Sequence, residues 1–455
     1  MRFSRVVPLL PLATAFVITE PDVFSKIEKS GRRLVDNAQT VLDDALGKVK
    51  DGAQDASSKF HHIGYDVEAW LEGEEFDDKV IDLDHPHGPP HHGKPDHPPH
   101  HGPPHHPPHH EKPNRTVYEL INESKYTTKL AKLINEFDDV VELLNGTAAN
   151  YTIFAPTDEA FEKIPKHHPE PSKEFLKEIL LYHVIDSLYP AGRVLHSFTI
   201  PTLYTTSKNL GHAQRLTPRV TFKGPTINYY SRLVAVNIFG TNGVVHGVDH
   251  ILVPPPNVAT IIDLLPGSFS TLELALTKTG IYDWLNTTQY EHNGGTFFAP
   301  SNYAWKKLGT RANAFLFSKY GEKYLKALLE YHLVVDQTLY TDAFIDGSGD
   351  DDDDDDESTK DRPDYYHYDL PTVLDDKYLA VDVTCYGPFA EIRINRFSRV
   401  TIHDGIASDG VIQVVSDVLI PPKNAGGEEV FWEGEELDVE DLKERLEPFV
   451  DNMEL

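Results

Sequence analysis

The chain has 455 residues, of which 40% are hydrophobic and 10% aromatic, which is enough for two domains with cores of their own. Its formal net charge of −30 at pH 7 disfavours binding to nucleic acid and to anionic membrane surfaces. The one cysteine, Cys385, excludes an intrachain disulfide, so each domain must be stabilised by its core.

The N-terminus has the pattern of a secretory leader. Arg2 and Arg5 precede an apolar run that is too short to span a bilayer, and residues 13–15 match a signal-peptidase site. We therefore predict a signal peptide over residues 1–15 and a secreted protein that is extracellular or associated with a cell wall or cell surface. A vacuole is the alternative location. The sequence predicts no transmembrane anchor, and its charged C-terminus predicts no glycolipid anchor.

Asn-x-Ser/Thr triplets are candidate N-glycosylation sites, and here they fall beside expected loops. The candidates are Asn114, Asn122, Asn145, Asn150 and Asn286.

Two segments of unusual composition follow the leader. Residues 16–84 place apolar residues at helical spacing among charges of both signs and end acidic, which predicts an amphipathic helical region. Residues 85–112 are rich in His and Pro, which predicts an extended polyproline-type linker.

The linker supports two interpretations. Imidazole is the commonest metal ligand, but a polyproline helix turns about every three residues while HHPP repeats every four, so successive His pairs rotate around the axis. The first interpretation is weak binding of Zn, Cu or Ni, and the second is a semi-rigid spacer that holds the domains away from the N-terminal helix. The metal candidates are His91, His92, His100, His101, His105, His106, His109 and His110. Near pH 5.5 most histidines of the linker are expected to be protonated. The positively charged linker could then pair with Asp350–Asp356 of the same chain or of another, which predicts compaction or self-association in acid.

Downstream of the linker, three sequence elements occur twice in the same order. NYTIFAPTDEAFEKIP recurs as GGTFFAPSNYAWKKLG, and each copy is followed by a Tyr-His pair. TNGVVHGVDHILVPPP is then echoed by SDGVIQVVSDVLIPPK. Repetition of this kind indicates a duplicated domain.

The spacing of these elements predicts the domain boundaries. The first domain covers 113–256 and the second 257–424. The second copy is longer between its Tyr-His pair and its last element, which predicts an Asp-rich inserted loop at 346–362. Residues 425–455 are expected to form an acidic, helical C-terminal tail.

These boxes resemble those of the fasciclin domain family in type, order and spacing. The resemblance implies an α+β fold with two tandem fasciclin-like domains, each a wedge of β-sandwich with packed helices, preceded by a helical or disordered N-terminal region. In each domain the first and last boxes would run side by side through the core. The resemblance also implies a non-enzymatic protein of adhesion, matrix or cell-wall type, whose partners are surface, wall or matrix proteins or glycans. Self-association is a further expectation.

The family associates the Tyr-His pairs with adhesion, which makes Tyr182, His183, Tyr331 and His332 candidates. The alternative is that these side chains pack in the core. In the last box, the resemblance makes Asp249 and Asp417 acidic contacts for a receptor.

His246, Asp249 and His250 are residue types that could form a hydrolytic or metal centre. Alternation along a strand places Asp249 on the face opposite to both histidines. The second copy has Gln413, Ser416 and Asp417 there, which do not repeat the set. The sequence therefore predicts no catalytic residue, no cofactor and no enzyme.

Overall fold

The computed structural model describes residues 70–71, 113–147, 149–164, 171–205, 210–221, 224–286, 293–346, 364–386, 389–425, 428–432, 434 and 437–450. The predicted signal peptide, the His/Pro linker, all eight metal-candidate histidines and Asp350–Asp356 lie outside these residues.

Domain 1 begins with three short helices, followed by a mixture of strands and helices. Its helices are α1 (Val117–Glu123), α2 (Thr128–Ile134), α3 (Asp138–Asn145), α4 (Asp158–Glu162), α5 (Lys173–Tyr182) and α6 (Ala191–His196). Its strands are β1 (Tyr151–Pro156), β2 (Val184–Ile185), β3 (Ile200–Thr205), β4 (Ala213–Leu216), β5 (Pro218–Thr221), β6 (Gly224–Ile227), β7 (Ser231–Gly240) and β8 (Gly243–Val248).

Domain 2 has a similar, though not identical, order of elements and ends in a tail. Its helices are α7 (Val258–Leu264), α8 (Pro266–Thr279), α9 (Ile281–Asn286), α10 (Asn302–Lys307), α11 (Thr310–Leu316), α12 (Glu322–Glu330), α13 (Thr341–Asp346) and α14 (Val439–Val450). Its strands are β9 (Gly295–Pro300), β10 (Leu333–Val335), β11 (Asp364–Pro371), β12 (Tyr378–Tyr386), β13 (Phe389–Ile394), β14 (Ser398–Ala407), β15 (Gly410–Val415), β16 (Lys423–Ala425) and β17 (Glu428–Val430).

Each domain is built on a mixed sheet in which the two repeated boxes are neighbours. The order is β2-β1-β8-β7-β6-β5 in domain 1 and β10-β9-β15-β14-β13-β12-β11 in domain 2. β1 pairs in parallel with β8, and β9 pairs in parallel with β15. The residues of β1, β8 and β15 are all buried, as expected for apolar strands covered on both faces. The predicted α+β fold, with boxes side by side in each core, is confirmed.

The tail completes the core of domain 2. Trp432, Leu442 and Leu446 are buried in the same apolar cluster as Tyr331. The guanidinium of Arg445 is buried and donates to Asp441 and to the carbonyl of Val430. Residues 437–450 therefore pack as part of the second domain.

Trp70 packs against domain 1, although it is distant in sequence from the residues that it contacts. Its indole is fully buried and its Nε1–H donates to the carbonyl of Leu120 at 3.1 Å. Ser124 Oγ donates to the Trp70 carbonyl at 2.9 Å, and the ring lies 5.8 Å from that of Tyr126. The polypeptide on both sides of the His/Pro linker thus contacts one domain. The predicted N-terminal helix, which the spacer interpretation concerns, lies outside the described residues, so the spacer interpretation stays a prediction.

Candidate functional site

The histidines of the two Tyr-His pairs make the same two backbone bonds. His183 Nδ1–H donates to the Ile179 carbonyl at 2.7 Å, and its Nε2 accepts from Leu252 N–H at 2.9 Å. His332 Nδ1–H donates to the Leu328 carbonyl, and its Nε2 accepts from Leu419 N–H. Each ring therefore ties the end of a helix to the part of the last box that follows its strand, β8 or β15.

These bonds require the neutral imidazole, which uses one nitrogen as donor and the other as acceptor. Burial lowers the pKa of His183 and of His332 to about 4, although the helix carbonyls oppose that shift. Both rings are therefore uncharged at neutral pH.

The tyrosines of the pairs are also buried and equivalent. Tyr182 Oη donates to the Arg215 carbonyl and accepts from Asn228 Nδ2. Tyr331 Oη donates to the Tyr378 carbonyl and accepts from Asn395 Nδ2. Burial raises the pKa of both phenols. The structure thus places all four adhesion candidates in the core of their domains, where their polar atoms hold the backbone.

The two acidic candidates lie at the ends of β8 and β15 and share an ion-pair pattern. Asp249 accepts from the Arg232 backbone N–H at 2.7 Å and pairs with Lys163 at 3.2 Å. Asp417 pairs with Lys307 at 2.9 Å. The Asp249 side chain is 18% exposed and that of Asp417 is 9% exposed, so Asp249 is the more accessible.

His246, Asp249 and His250 do not have the predicted arrangement on opposite faces. β8 ends at Val248, so strict alternation stops there, and His250 Nδ1 lies 2.8 Å from Asp249 Oδ1. His246 is buried, with its Nε2 2.8 Å from the Tyr189 carbonyl and its Nδ1 accepting from Asn237 N–H. The polar atoms of His246 thus bind backbone groups, whereas Asp249 and His250 bind each other.

A polar network between the domains was not predicted from the sequence. Arg219 of domain 1 pairs with the fully buried carboxylate of Asp404 in domain 2 at 3.1 Å. Arg215 pairs with Asp342 at 2.7 Å, and Thr199 Oγ1 donates to the same carboxylate. Burial raises the pKa of Asp342, although Thr199 and Arg215 both favour the ionised form. Two ion pairs of the same polarity therefore join the domains.

Comparison of the copies gives the signal that could have identified this network. Asn237 and Asp404 hold equivalent positions before the last box, and both have a positive φ, of 60° and 56°. Asn237 Oδ1 accepts from Ala191 N–H, and Asp404 Oδ1 accepts from Thr341 N–H. The change from amide to carboxylate adds one negative charge at the position that faces Arg219.

The glycosylation candidates are all exposed. In four of them the side-chain oxygen accepts a hydrogen bond, which leaves attachment at Nδ2 compatible with the contacts. These are Asn114, Asn122, Asn145 and Asn286.

The described ranges contain no group of three or more His, Cys, Asp or Glu residues that could hold a metal ion. In the same part of the chain, no helix combines the length and apolar character needed to cross a membrane.

Comparison with known proteins gives similar sequences in several organisms. The chain is 29% identical over 359 residues to "Aurofusarin biosynthesis cluster protein S" from Gibberella zeae, covering 74% of this chain and 87% of that one. It is 28% identical over 199 residues to "Fasciclin-1" from Schistocerca americana, covering 42% of this chain and only 29% of the relative. A solved pair of domains from insect fasciclin I aligns with a TM-score of 0.33 and 21% identity, over 64% of this chain and 96% of that one.

The Fasciclin domain family matches two segments, residues 125–254 and 267–421. These segments contain the two parallel box pairs and both Tyr-His pairs. The chain therefore belongs to the fasciclin domain family and contains two tandem copies of the domain.

Proposed function

We propose that this protein is a non-enzymatic secreted or cell-surface protein that acts in adhesion and associates with a cell wall or matrix. The observation that supports this proposal most directly is the family match over both domains. Its partners would be surface, wall or matrix proteins or glycans. The exposure of the five glycosylation candidates is compatible with passage through the secretory pathway.

The buried Tyr-His pairs suggest how the adhesion candidates act. We infer that Tyr182, His183, Tyr331 and His332 support the binding surface from within, because their polar atoms bind backbone groups. The region around Asp249 is the better candidate for direct contact. Its partner Lys163 is 42% exposed, and the next residue in the chain, Ile164, is 45% exposed.

Fractionation of the source cells tests the location, and retention on matrix tests the binding. The protein should be recovered in the medium, wall or surface fraction, and endoglycosidase treatment should reduce its apparent mass. Asp249→Asn should weaken retention on the wall or matrix fraction, whereas Asp139→Asn, which breaks an exposed ion pair with Lys177 elsewhere on domain 1, should not. Recovery in the cytosol alone, or no retention on any fraction, would reject the proposal.

The alternative function is weak binding of divalent metals by the His/Pro linker in an extracellular or vacuolar protein. Since Trp70 and Pro113 flank the linker and domain 1 contacts Trp70, the eight candidate histidines lie in a segment that begins and ends at one domain. Calorimetric titration with Zn²⁺, Ni²⁺ and Cu²⁺ tests this function. Heat that disappears on deletion of residues 85–110 supports it, and absence of heat in the intact protein rejects it.

The relative from Gibberella zeae suggests a second candidate role. Its name assigns it to a biosynthesis cluster, and this chain spans 87% of its length. A role as a non-catalytic accessory in a biosynthetic pathway would follow. Deletion of the gene should then change the metabolite profile of the source organism, and an unchanged profile would exclude this role.

A further inference from the structure

We propose that the apolar cleft between the two domains is a binding site for a small, flat aromatic molecule about the size of an indole ring. Tyr182, Tyr229 and Tyr230 of domain 1 form one wall, and Ile261, Phe269 and Val414 of domain 2 form the other. The cleft and its open mouth together enclose about 730 Å³. The adhesion proposal assigns no ligand to this cleft, and binding here is independent of adhesion.

The size of the cleft suits one ring system. The centres of water molecules could occupy about 50 Å³ of it. Because a single water needs roughly 10–15 Å³ by the same measure, the space equals that of a few waters. Waters there would find few hydrogen-bond partners, since the walls are mainly aliphatic and aromatic. Pockets lined mainly by aliphatic and aromatic side chains with a few polar groups are typical binding sites for small apolar molecules.

The position of the cleft in the fold indicates what kind of group fits. In domain 1, the slot between α1 and the β7–β8 pair is filled by the indole of Trp70. A Cβ placed on Gly247 would lie 3.0 Å from the Trp70 ring and 3.1 Å from the Ala235 methyl, so the ring lies directly on this pair of strands. The ring also donates to the Leu120 carbonyl on α1.

The corresponding region of domain 2, between α7 and the β14–β15 pair, forms one wall of the cleft. Gly247 pairs with Ala235 across the β7–β8 hairpin, and Val414 pairs with Ile402 at the same register of β14–β15. Leu120 and Ile261 each lie three residues after the valine that begins α1 or α7. Thus Ile261 and Val414 take the places of two groups that contact Trp70, and the opposing wall comes from domain 1 instead of from an indole.

The opposing wall is chemically suited to an aromatic ring. It contributes three tyrosine side chains, and aromatic pairs in offset or edge-to-face contact are favourable beyond the area that they bury. Thr217 and Asn228 add a small number of polar groups, which would orient a ligand with one or two hydrogen-bonding atoms. A strongly charged ligand would lose its hydration without gaining an ionic partner among these lining side chains.

Indole is the probe that tests this site, measured by calorimetry on the full chain. We expect one indole per chain with a Kd on the order of 0.1 mM, and much weaker binding of cyclooctanol, which is apolar but not flat. Ile261→Trp fills the cleft from domain 2 and should weaken indole binding at least about tenfold. Leu274→Trp adds the same ring on α8 at a side chain that is 58% exposed, and should leave indole binding unchanged.

A crystal soaked with 5-bromoindole should show an anomalous bromine peak between Tyr230 and Ile261. Absence of indole binding to the wild type would overturn the proposal, as would equal binding by wild type and Ile261→Trp. If Ile261→Trp does not fold, Ile261→Phe replaces it in the same comparison.

Discussion

His246 and Gln413 occupy equivalent positions in the two domains and form the same pair of backbone hydrogen bonds. His246 Nδ1 accepts from Asn237 N–H and its Nε2 lies 2.8 Å from the Tyr189 carbonyl. Gln413 Oε1 accepts from Asp404 N–H, and its Nε2–H donates to the Leu339 carbonyl. An amide can therefore replace the imidazole at this position without loss of either bond.

This equivalence leads to a prediction about the pH dependence of stability. Burial lowers the pKa of His246 to about 4 from its ordinary value of 6.5. Between those values the unfolded chain takes up a proton that the folded chain does not. The contribution of neutral His246 is thus complete above pH 6.5 and is lost as the pH falls toward 4, by about 3 kcal/mol in total, since one pKa unit corresponds to about 1.4 kcal/mol.

His246→Gln should keep the fold at pH 7.5. Between pH 6.5 and 4 its free energy of unfolding should fall less steeply than that of the wild type, because unfolding takes up as much as one proton fewer. Urea denaturation across this range measures the difference. Burial raises the pKa of Glu330 to about 7, which gives a slope of the opposite sign in the same window, but Glu330 is present in both proteins and cancels. Identical slopes for the two proteins would contradict the prediction.

The ion pair between Arg219 and Asp404 leads to a prediction about the domain interface. Asp404→Asn keeps an oxygen for the Thr341 N–H, as Asn237 does for Ala191 in domain 1, but removes the charge opposite Arg219. Removing one partner of a buried ion pair costs about 3–5 kcal/mol, and the Arg219 side chain is 23% exposed, so we expect roughly 2–3 kcal/mol.

Urea denaturation measures this loss, with Glu322→Gln as the control. That substitution breaks the more exposed Lys278–Glu322 pair of domain 2, and should cost less than about 1 kcal/mol. If the two variants lose the same small amount of stability, the ion pair between Arg219 and Asp404 does not stabilise the protein as predicted.

The asparagines that hold the tyrosine hydroxyls lead to a third prediction. Asn395 has a φ of 51°, and its side chain donates to Tyr331 Oη and accepts from Ala380 N–H. Asn395→Ala loses both bonds and retains a Cβ in left-handed backbone, so we expect a loss of about 2–4 kcal/mol. Asn395→Gly loses the same bonds but tolerates the backbone, and should be the more stable variant by about 1 kcal/mol in thermal unfolding. The reverse order would show that backbone strain contributes nothing here.

The sequence was sufficient to predict the domain repeat, because the two boxes are buried strands and their apolar pattern is visible in both copies. The family resemblance implied that the first and last boxes are neighbours in each core, and the structure adds that β1 pairs with β8, and β9 with β15, in parallel. The opposite-face placement of Asp249 and His250 was wrong because it extended strand alternation beyond Val248, where β8 ends.

Two features could not be predicted because they depend on contacts between residues distant in sequence. Nothing near Asp404 in the sequence indicates that Arg219 of the other domain will face it, and only the comparison with Asn237 marks the position. Trp70 lies in the acidic part of the predicted amphipathic region, where the sequence does not indicate which domain its ring will contact. Its burial arises because Gly247 leaves room for a ring on the sheet.

The contact of Trp70 with domain 1 leads to a last prediction, on how the N-terminal region is held. A specific protease site inserted within residues 85–110 should allow cleavage without release of the N-terminal fragment, because the indole is fully buried and bonded to the Leu120 carbonyl. Trp70→Ala removes this contact, at a cost of about 3–5 kcal/mol for a buried ring, and the fragment should then separate on gel filtration. Trp70→Phe keeps an apolar ring without the N–H donor and should retain the fragment better than Trp70→Ala. Release from the wild type after cleavage would show that the Trp70 contact is too weak to hold the two ends of the linker at one domain.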